Sequence, residues 1–172
     1  PGGRVMNAIV AVDRNWAIGR DNRLLFSIPT DMRRFQKLTI GGTVIMGRKT
    51  LDSLPGGRPL SNRRNIILTR DPAFTRDGVE AANNIETVLH MTAEADPENV
   101  WVIGGASVYA AMLGQCRKVF LTRVFADAEG ADAFFPNMDE DPAWEMLSVS
   151  QPVFENGLSF QFATYGRAPI LF

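Results

Sequence analysis

The sequence predicts an α/β fold built on one continuous central sheet. Three observations predict it. Apolar runs alternate with helix-like segments up to Tyr109; two of those runs end in Gly just before a helix start; and after Tyr109 the character changes to longer strands.

Val5–Val12, Thr43–Met46, Asn65–Thr69 and Val100–Ile103 read as strands, parallel because helical segments separate them. A helix begins near Pro29, with Ser27 as its cap, Pro29 suited to its first turn, and Ile28, Met32 and Phe35 as an apolar stripe that includes Asp31. A second helix starts at Arg48–Thr50, and a third follows Gly104-Gly105 through Ser107–Met112. Lys118–Phe125, Trp144–Val153 and Leu158–Tyr165 read as the longer strands. The last two are joined across Phe154-Glu155-Asn156-Gly157 as an antiparallel hairpin, with Asn156-Gly157 as the turn signal, so the sheet is mixed at its edge. No internal repeat or low-complexity linker interrupts this order.

At 172 residues and 19.0 kDa, with 45% hydrophobic and 22% charged residues, the chain reads as a single domain over 1–172, residues 1–5 being read as partly appended sequence. No window approaches the roughly 20 apolar residues of a membrane span. The run Met6–Val12 is interrupted by Asn7 and ends at Asp13, and no signal peptide is visible. One cysteine, Cys116, and one histidine, His90, supply neither an intramolecular disulfide nor a structural zinc site, so the expectation is a cytoplasmic protein without a metal. A net charge of −1 disfavours nucleic acid as a partner. Yet residues 1–76 carry 14 Lys and Arg against 5 Asp and Glu, whereas residues 77–172 carry 4 against 14. A small polyanion would take its ligands from the first half; the alternative is surface charges that intermix on folding.

Two strand-to-helix junctions, Thr43-Val44-Ile45-Met46-Gly47-Arg48-Lys49-Thr50 and Val100-Trp101-Val102-Ile103-Gly104-Gly105-Ala106-Ser107, could together grip a pyrophosphate, because helix N-termini offer unpaired N–H groups. Gly at a strand end is more often only a turn. A P-loop match starting at Gly42 fails: Arg48 intrudes between Gly47 and Lys49, and Thr-Val-Ile-Met is a strand signal. The dinucleotide signature G-x-G-x-x-G is absent. Asp31, a carboxylate on an apolar stripe, would have a raised pKa and could bind or protonate a polar heterocycle, although a first-turn Asp also simply stabilises a helix. Arg63 and Arg64 suit an acidic substrate tail or a solvated basic turn. His90 has no Ser or Cys partner for a nucleophilic triad, and Asp139, Glu140 and Asp141 read as a solvated turn without chemistry.

Taken together, Ala8-Ile9-Val10-Ala11-Val12-Asp13, Ile18-Gly19, Ile28-Pro29-Thr30-Asp31-Met32-Arg33-Arg34-Phe35, Val44-Ile45-Met46-Gly47-Arg48-Lys49-Thr50 and Val102-Ile103-Gly104-Gly105 resemble the dihydrofolate reductases. Arg63 before Asn65-Ile66-Ile67-Leu68-Thr69, Tyr109, Leu121-Thr122, and Asp132 ahead of Phe135-Pro136 extend the resemblance over essentially the whole chain. It implies a three-layer fold whose mixed, mostly parallel eight-stranded sheet is flanked by about four helices and ends in the antiparallel hairpin. It also implies NADPH-dependent reduction of 7,8-dihydrofolate to tetrahydrofolate in support of one-carbon metabolism, a monomer, no metal, and antifolates as inhibitors.

By the same resemblance Asp31, Phe26 and Thr122 form the catalytic group, Asp31 binding the pterin edge and promoting N5 protonation, and Thr122 bonding to Asp31. Phe35, Met32 and Leu54 would line the pterin and benzoyl groups, with Val10, Tyr109 and, farther out, Leu60 beside them. Arg63 would pair with the α-carboxylate of the glutamate tail, and Ile9 and Ile103 would offer carbonyls to pterin-like inhibitors. For the cofactor, Ala11, Ile18 and Gly19 would touch the nicotinamide carboxamide through their backbones. Gly47, Lys49 and Thr50, with Gly104, Gly105, Ala106 and Ser107, would hold the pyrophosphate, supported by Ile103, Val108 and Tyr109. Arg48, with Leu68, Thr69 and Arg70, would meet the adenosine 2′-phosphate. Gly104-Gly105 is where the family has a cis peptide.

Leu24-Leu25-Phe26 departs from the family's Leu-Pro-Trp. Phe26 keeps an aromatic wall but loses the indole N–H, and Leu25 loses the φ restraint of Pro, which implies an active enzyme with altered loop closure, turnover or antifolate affinity. Other readings are a related pterin or pyrimidine reductase, which would lack the block carrying Asp31 and Phe35, and an NADPH- or pterin-binding protein with little or no turnover, suggested by Leu25 and Phe26. A P-loop ATPase is a further one, which magnesium-dependent ATP hydrolysis would mark.

Overall fold

The computed structural model describes residues 5–169; Pro1-Gly2-Gly3 lie outside them. In chain order the first strands and helices are β1 (Met6–Val12), β2 (Ala17–Arg20), β3 (Arg23–Leu24), α1 (Pro29–Thr39), β4 (Thr43–Gly47) and α2 (Arg48–Ser53). Next come β5 (Arg64–Leu68), β6 (Val79–Ala82), α3 (Ile85–Met91), β7 (Val100–Gly104) and α4 (Ala106–Met112). The chain ends in β8 (Cys116–Val124), β9 (Ala133–Phe134), β10 (Trp144–Val149), β11 (Val153–Glu155) and β12 (Leu158–Arg167).

The main sheet runs β10-β12-β8-β1-β7-β4-β5-β6, with β11 added along β12. From β8 to β6 every pairing is parallel, and β12 pairs antiparallel with β8, β10 and β11. Alternation along β1 sends Ala8, Val10 and Val12 to one face and Ile9 to the other. The first face packs against Val88 of α3 and Val108, Tyr109 and Met112 of α4; the second holds Val44, Met46, Ile67 and Trp101 against Leu51 of α2, with Phe35 and Leu38 of α1 at its margin. Helices therefore cover both faces, giving three layers.

Three expectations are corrected. Ser27 does not cap α1: the cap position is Ile28, which offers no side-chain bond, and the hairpin supplies Glu155 instead, whose carboxylate accepts from the Thr30 N–H and hydroxyl, each at 2.9 Å. The stretch Trp144–Val153 is not one strand. It breaks at Ser150–Pro152, where Pro152 has no N–H to give to the ladder and the Ser150 Oγ takes over the Phe162 N–H at 2.9 Å. Phe154 and Glu155 belong to β11, and the turn is Asn156-Gly157 alone, both with positive φ of 54° and 75°. A small second sheet, β3-β2-β9, lies outside the sequence reading because its strands are two to four residues long. Among the described residues no helix is long and apolar enough to cross a membrane.

Candidate active site

Asp31 stands in the first turn of α1, and the buried Thr122 of β8 donates its hydroxyl to the carboxylate at 2.6 Å. Burial pushes the Asp31 carboxyl above its ordinary 3.8, and the Thr122 bond and the charge of Arg34 oppose that rise. Of the helix stripe only Ile28 is core. Met32 is 48% exposed and Phe35 is half-buried, and Phe35, Leu54, Leu60 and Ile103 form the margin of the cluster that contains Ile9. Beside Asp31 this leaves an accessible apolar strip suited to a flat aromatic ligand. Phe26 is half-buried against Ile28, Val124 and Phe160, and Leu24 is 72% exposed.

Under the strip lies Tyr109, whose hydroxyl donates to the Ile9 carbonyl at 2.6 Å; burial pushes its pKa far above the usual phenol range, so it stays a donor. The Ile9 carbonyl keeps a second lone pair for a ligand amine. Val10 is buried in the opposite face of β1, and Ala11 is half-buried. Ile18 is buried in the core and Gly19 pairs with Leu24 and Ala133, so these two present backbone rather than side chain.

At the C-terminal ends of the adjacent parallel strands β4 and β7, Met46 pairs with Gly104, and α2 and α4 begin side by side. Their cap positions, Gly47 and Gly105, have no side-chain cap bond, which leaves first-turn N–H groups available. A Cβ on Gly47 would come within 3.1 Å of Val108, and one on Gly105 within 3.5 Å of the Thr50 hydroxyl. The Gly104-Gly105 peptide is cis, as the resemblance implies. Lys49, Ser107 and Arg70 are exposed around this cradle, Ala106 and Leu68 are half-buried beside it, and Val108 is buried beneath it.

Two arginine pairs are resolved by their partners. Arg64 is locked into structure, donating from two nitrogens to Glu80 at 2.6 and 2.8 Å and from a third to the Met91 carbonyl at 2.7 Å. Arg63 is braced by the Ser61 carbonyl at 2.9 Å and the Thr39 hydroxyl at 3.0 Å and has no ion pair among the described residues, which leaves it able to receive a carboxylate. Arg48 lies 3.4 Å from the Asp71 carboxylate and over the Phe74 ring at 4.9 Å, with Thr69 bonding the Asp71 N–H, while Arg70 has no ion pair among the described residues.

The sequence reading missed two residues. The buried Asp13 carboxylate accepts from the N–H groups of Asn15, Ala17 and Ala128 at 2.8, 2.9 and 2.9 Å, and so fixes the turn that leads into β2, which carries Ile18 and Gly19. Its place at the end of an apolar strand, followed by Arg-Asn, was the signal available. Asp71 is the other. His90 is exposed on α3, and Asp139 serves structure, accepting from the Tyr165 hydroxyl at 2.6 Å and pairing with Arg123 at 3.2 Å.

Residues 5–167 match the family model described as dihydrofolate reductase. The chain is 35% identical to the dihydrofolate reductase of Bacillus subtilis, over 95% of each chain, and 35% identical to that of Mycobacterium leprae, over 95% of this chain and 99% of that one. A solved dihydrofolate reductase from Enterococcus faecalis, complexed with NADP(H) and RAB-propyl, superposes with a TM-score of 0.85 at 31% identity, covering 97% and 99% of the two chains.

Proposed function

Because this chain belongs to the dihydrofolate reductase family and is an NADPH-dependent oxidoreductase acting on 7,8-dihydrofolate, we propose that Asp31 is the residue on which its chemistry turns. The observation that carries this is the half-buried carboxylate held by Thr122 beside an accessible apolar strip. Asp31 receives the amino and ring-nitrogen edge of the pterin and favours the protonated form at N5, acting through the pterin's tautomer or solvent. Thr122 fixes the carboxylate's orientation and Phe26 walls the site. Met32, Phe35, Leu54 and Leu60 exclude water from the ring system, and Arg63 pairs with the glutamate α-carboxylate.

The cradle fits a dinucleotide pyrophosphate, since both glycine caps leave first-turn N–H groups open and neither puts a side chain over them. When bound, NADPH supplies the hydride that goes to C6 of the pterin and leaves as NADP⁺, while N5 takes one proton. Arg48, Thr69 and Arg70 hold the 2′-phosphate, and the backbones of Ala11, Ile18 and Gly19 orient the nicotinamide. The reading further assigns a single-domain monomer working in the cytoplasm without a metal, with antifolates as competing ligands. It is supported by a main sheet that runs from β10 to β6 and a small β3-β2-β9 sheet, whose elements carry the proposed site groups within one chain.

The test is NADPH oxidation with dihydrofolate for the native protein beside Asp31→Asn, with NADH as control. The variant keeps an acceptor for Thr122 but loses the ionisable group, so kcat/KM at pH 7 falls by about 10²-fold or more. Equal rates for both proteins would remove Asp31 from the reaction.

A further inference from the structure

Arg34 sits one helical turn beyond Asp31, on the same side of α1. Its guanidinium carbon lies 4.2 Å from the centre of the Phe162 ring and 5.9 Å from that of Phe120. Phe162 is the register partner of Thr122 across β12 and β8, and Phe120 is two residues before Thr122, so all three project from one patch of the sheet. Asp31 and Arg34 are therefore pinned on the same strand pair, the carboxylate by a hydroxyl and the cation by an aromatic face. Arg34 has no ion pair or hydrogen bond among the described residues, and its buried Nη1 has no hydrogen-bond partner. Leaving a guanidinium nitrogen buried and unbonded is costly, and aromatic faces compensate only part of it. The charge nearby that offsets it is Asp31, whose carboxylate and the Arg34 guanidinium each favour the other's ionised form.

We propose that Arg34 is a positioning residue of the reduction, the permanent countercharge that sets the pH range in which Asp31 and bound dihydrofolate together hold the reactive proton. This rests on the assignment of Asp31 above. The other groups around Asp31 and the first turn of α1 do not take over that role. Thr122 from β8 is neutral, Tyr109 from α4 keeps its proton, and Glu155 from β11 is occupied by Thr30 and lies 3.9 Å from Arg33.

Removing the cation raises the Asp31 pKa, because an opposite charge favours the ionised form. The reaction needs one proton on the Asp31–pterin couple and is lost as pH rises through the couple's apparent pKa, so removing Arg34 moves the alkaline limb upward. The variants are Arg34→Met, which keeps the stem on Phe162 without charge, and Arg34→Lys, which keeps the charge on the ring. Carbon-13 titration of the Asp31 carboxyl in the ligand-free protein, assigned by its loss in Asp31→Asn, is expected to move up by about half to one pH unit in Arg34→Met and to stay near native in Arg34→Lys. The alkaline limb of dihydrofolate reduction follows in the same order. A titration unchanged in Arg34→Met, or displaced equally by both variants, overturns the proposal. The titration reads the ligand-free protein, so it decides the role of Arg34 even where the pH profile fails to follow, a result that would count against the assignment of Asp31 instead.

Discussion

Asp31 is held in a state the fold alone would not choose. A carboxyl whose pKa is raised by folding binds its proton more tightly in the native chain than in the unfolded one. Its stabilising share is complete below the ordinary 3.8 and is lost as pH rises through the raised value. Above that raised value the ionised, half-buried group costs stability, so Asp31→Asn is expected to melt a few degrees above native at neutral pH, with the gap closing as pH falls. Thermal melts across that range check it; a variant less stable than native at pH 7 would show that the carboxylate helps hold the fold. Asp71 is the opposite case, an acid inside a basic subsite. It occupies Arg48 at 3.4 Å and also accepts from the Ala73 N–H at 2.9 Å. Asp71→Asn keeps the acceptor and removes the charge that competes with a 2′-phosphate, so NADPH should bind about two- to fivefold tighter, the span of an exposed ion pair. Fluorescence titration with NADPH and NADH separates the effect, since NADH affinity should not change.

Among the elements, α1 matters most, because it carries Asp31, Met32, Arg34 and Phe35 and yet has no cap of its own. The hairpin supplies it: Glu155 takes the Thr30 N–H and hydroxyl, and Arg33 donates to the same hydroxyl at 3.0 Å. The Thr30 bonds, backbone first, hold the Glu155 carboxyl below the usual carboxylate range, so its contribution is present at neutral pH and is lost as pH falls through that lowered value. Glu155→Gln should lower the melting temperature by a few degrees at pH 7, raise KM for dihydrofolate more than it lowers kcat, and match native stability in acid. An unchanged KM would detach the hairpin from the site. This clamp was not legible in the sequence, because Thr30 and Glu155 are joined only when β11 folds along β12, and no local pattern encodes a contact across that distance. The elements that were legible, β1, β4, β5, β7, β8 and β12 with α1, α2 and α4, have their signals written in contiguous residues. The short β2, β3, β6 and β9 owe their pairing to neighbours, and Asp71 escaped notice because only the packing of Phe74 and Arg48 brings it to the subsite.

At the scale of the molecule, the uneven charge of the sequence is partly neutralised by folding. Arg14 pairs with Asp127, Arg33 with Glu155 and Arg64 with Glu80, each joining the basic first part of the chain to the acidic second. Lys49, Arg63 and Arg70 have no ion pair among the described residues, and these are cations the proposed function assigns to anionic groups of the ligands. Folding thus intermixes part of the charge, and the proposed polyanion site would draw on the cations left without an ion pair. The proposed ligand sites span α1, β1, β4, β7 and β8, so binding should tighten the sheet as a whole. At a hundredfold excess over its Kd, NADPH adds about 2.7 kcal/mol. For a chain of this size that is a rise in melting temperature of about 5–10 °C. Losing the 2′-phosphate forfeits its charge-assisted bonds, which at about 2–3 kcal/mol weakens NADH by about a hundredfold. The same concentration of NADH then equals its Kd and adds only about 0.4 kcal/mol, a shift of about 1 °C. Arg48→Gln should bring the NADPH shift down toward that of NADH while leaving the ligand-free melt nearly unchanged, because the Arg48–Asp71 pair is half-exposed. Equal shifts from the two nucleotides in the native protein would mean that the basic cluster at Arg48, Thr69 and Arg70 does not read the 2′-phosphate, and that the surplus of cations in the first half of the chain serves another purpose.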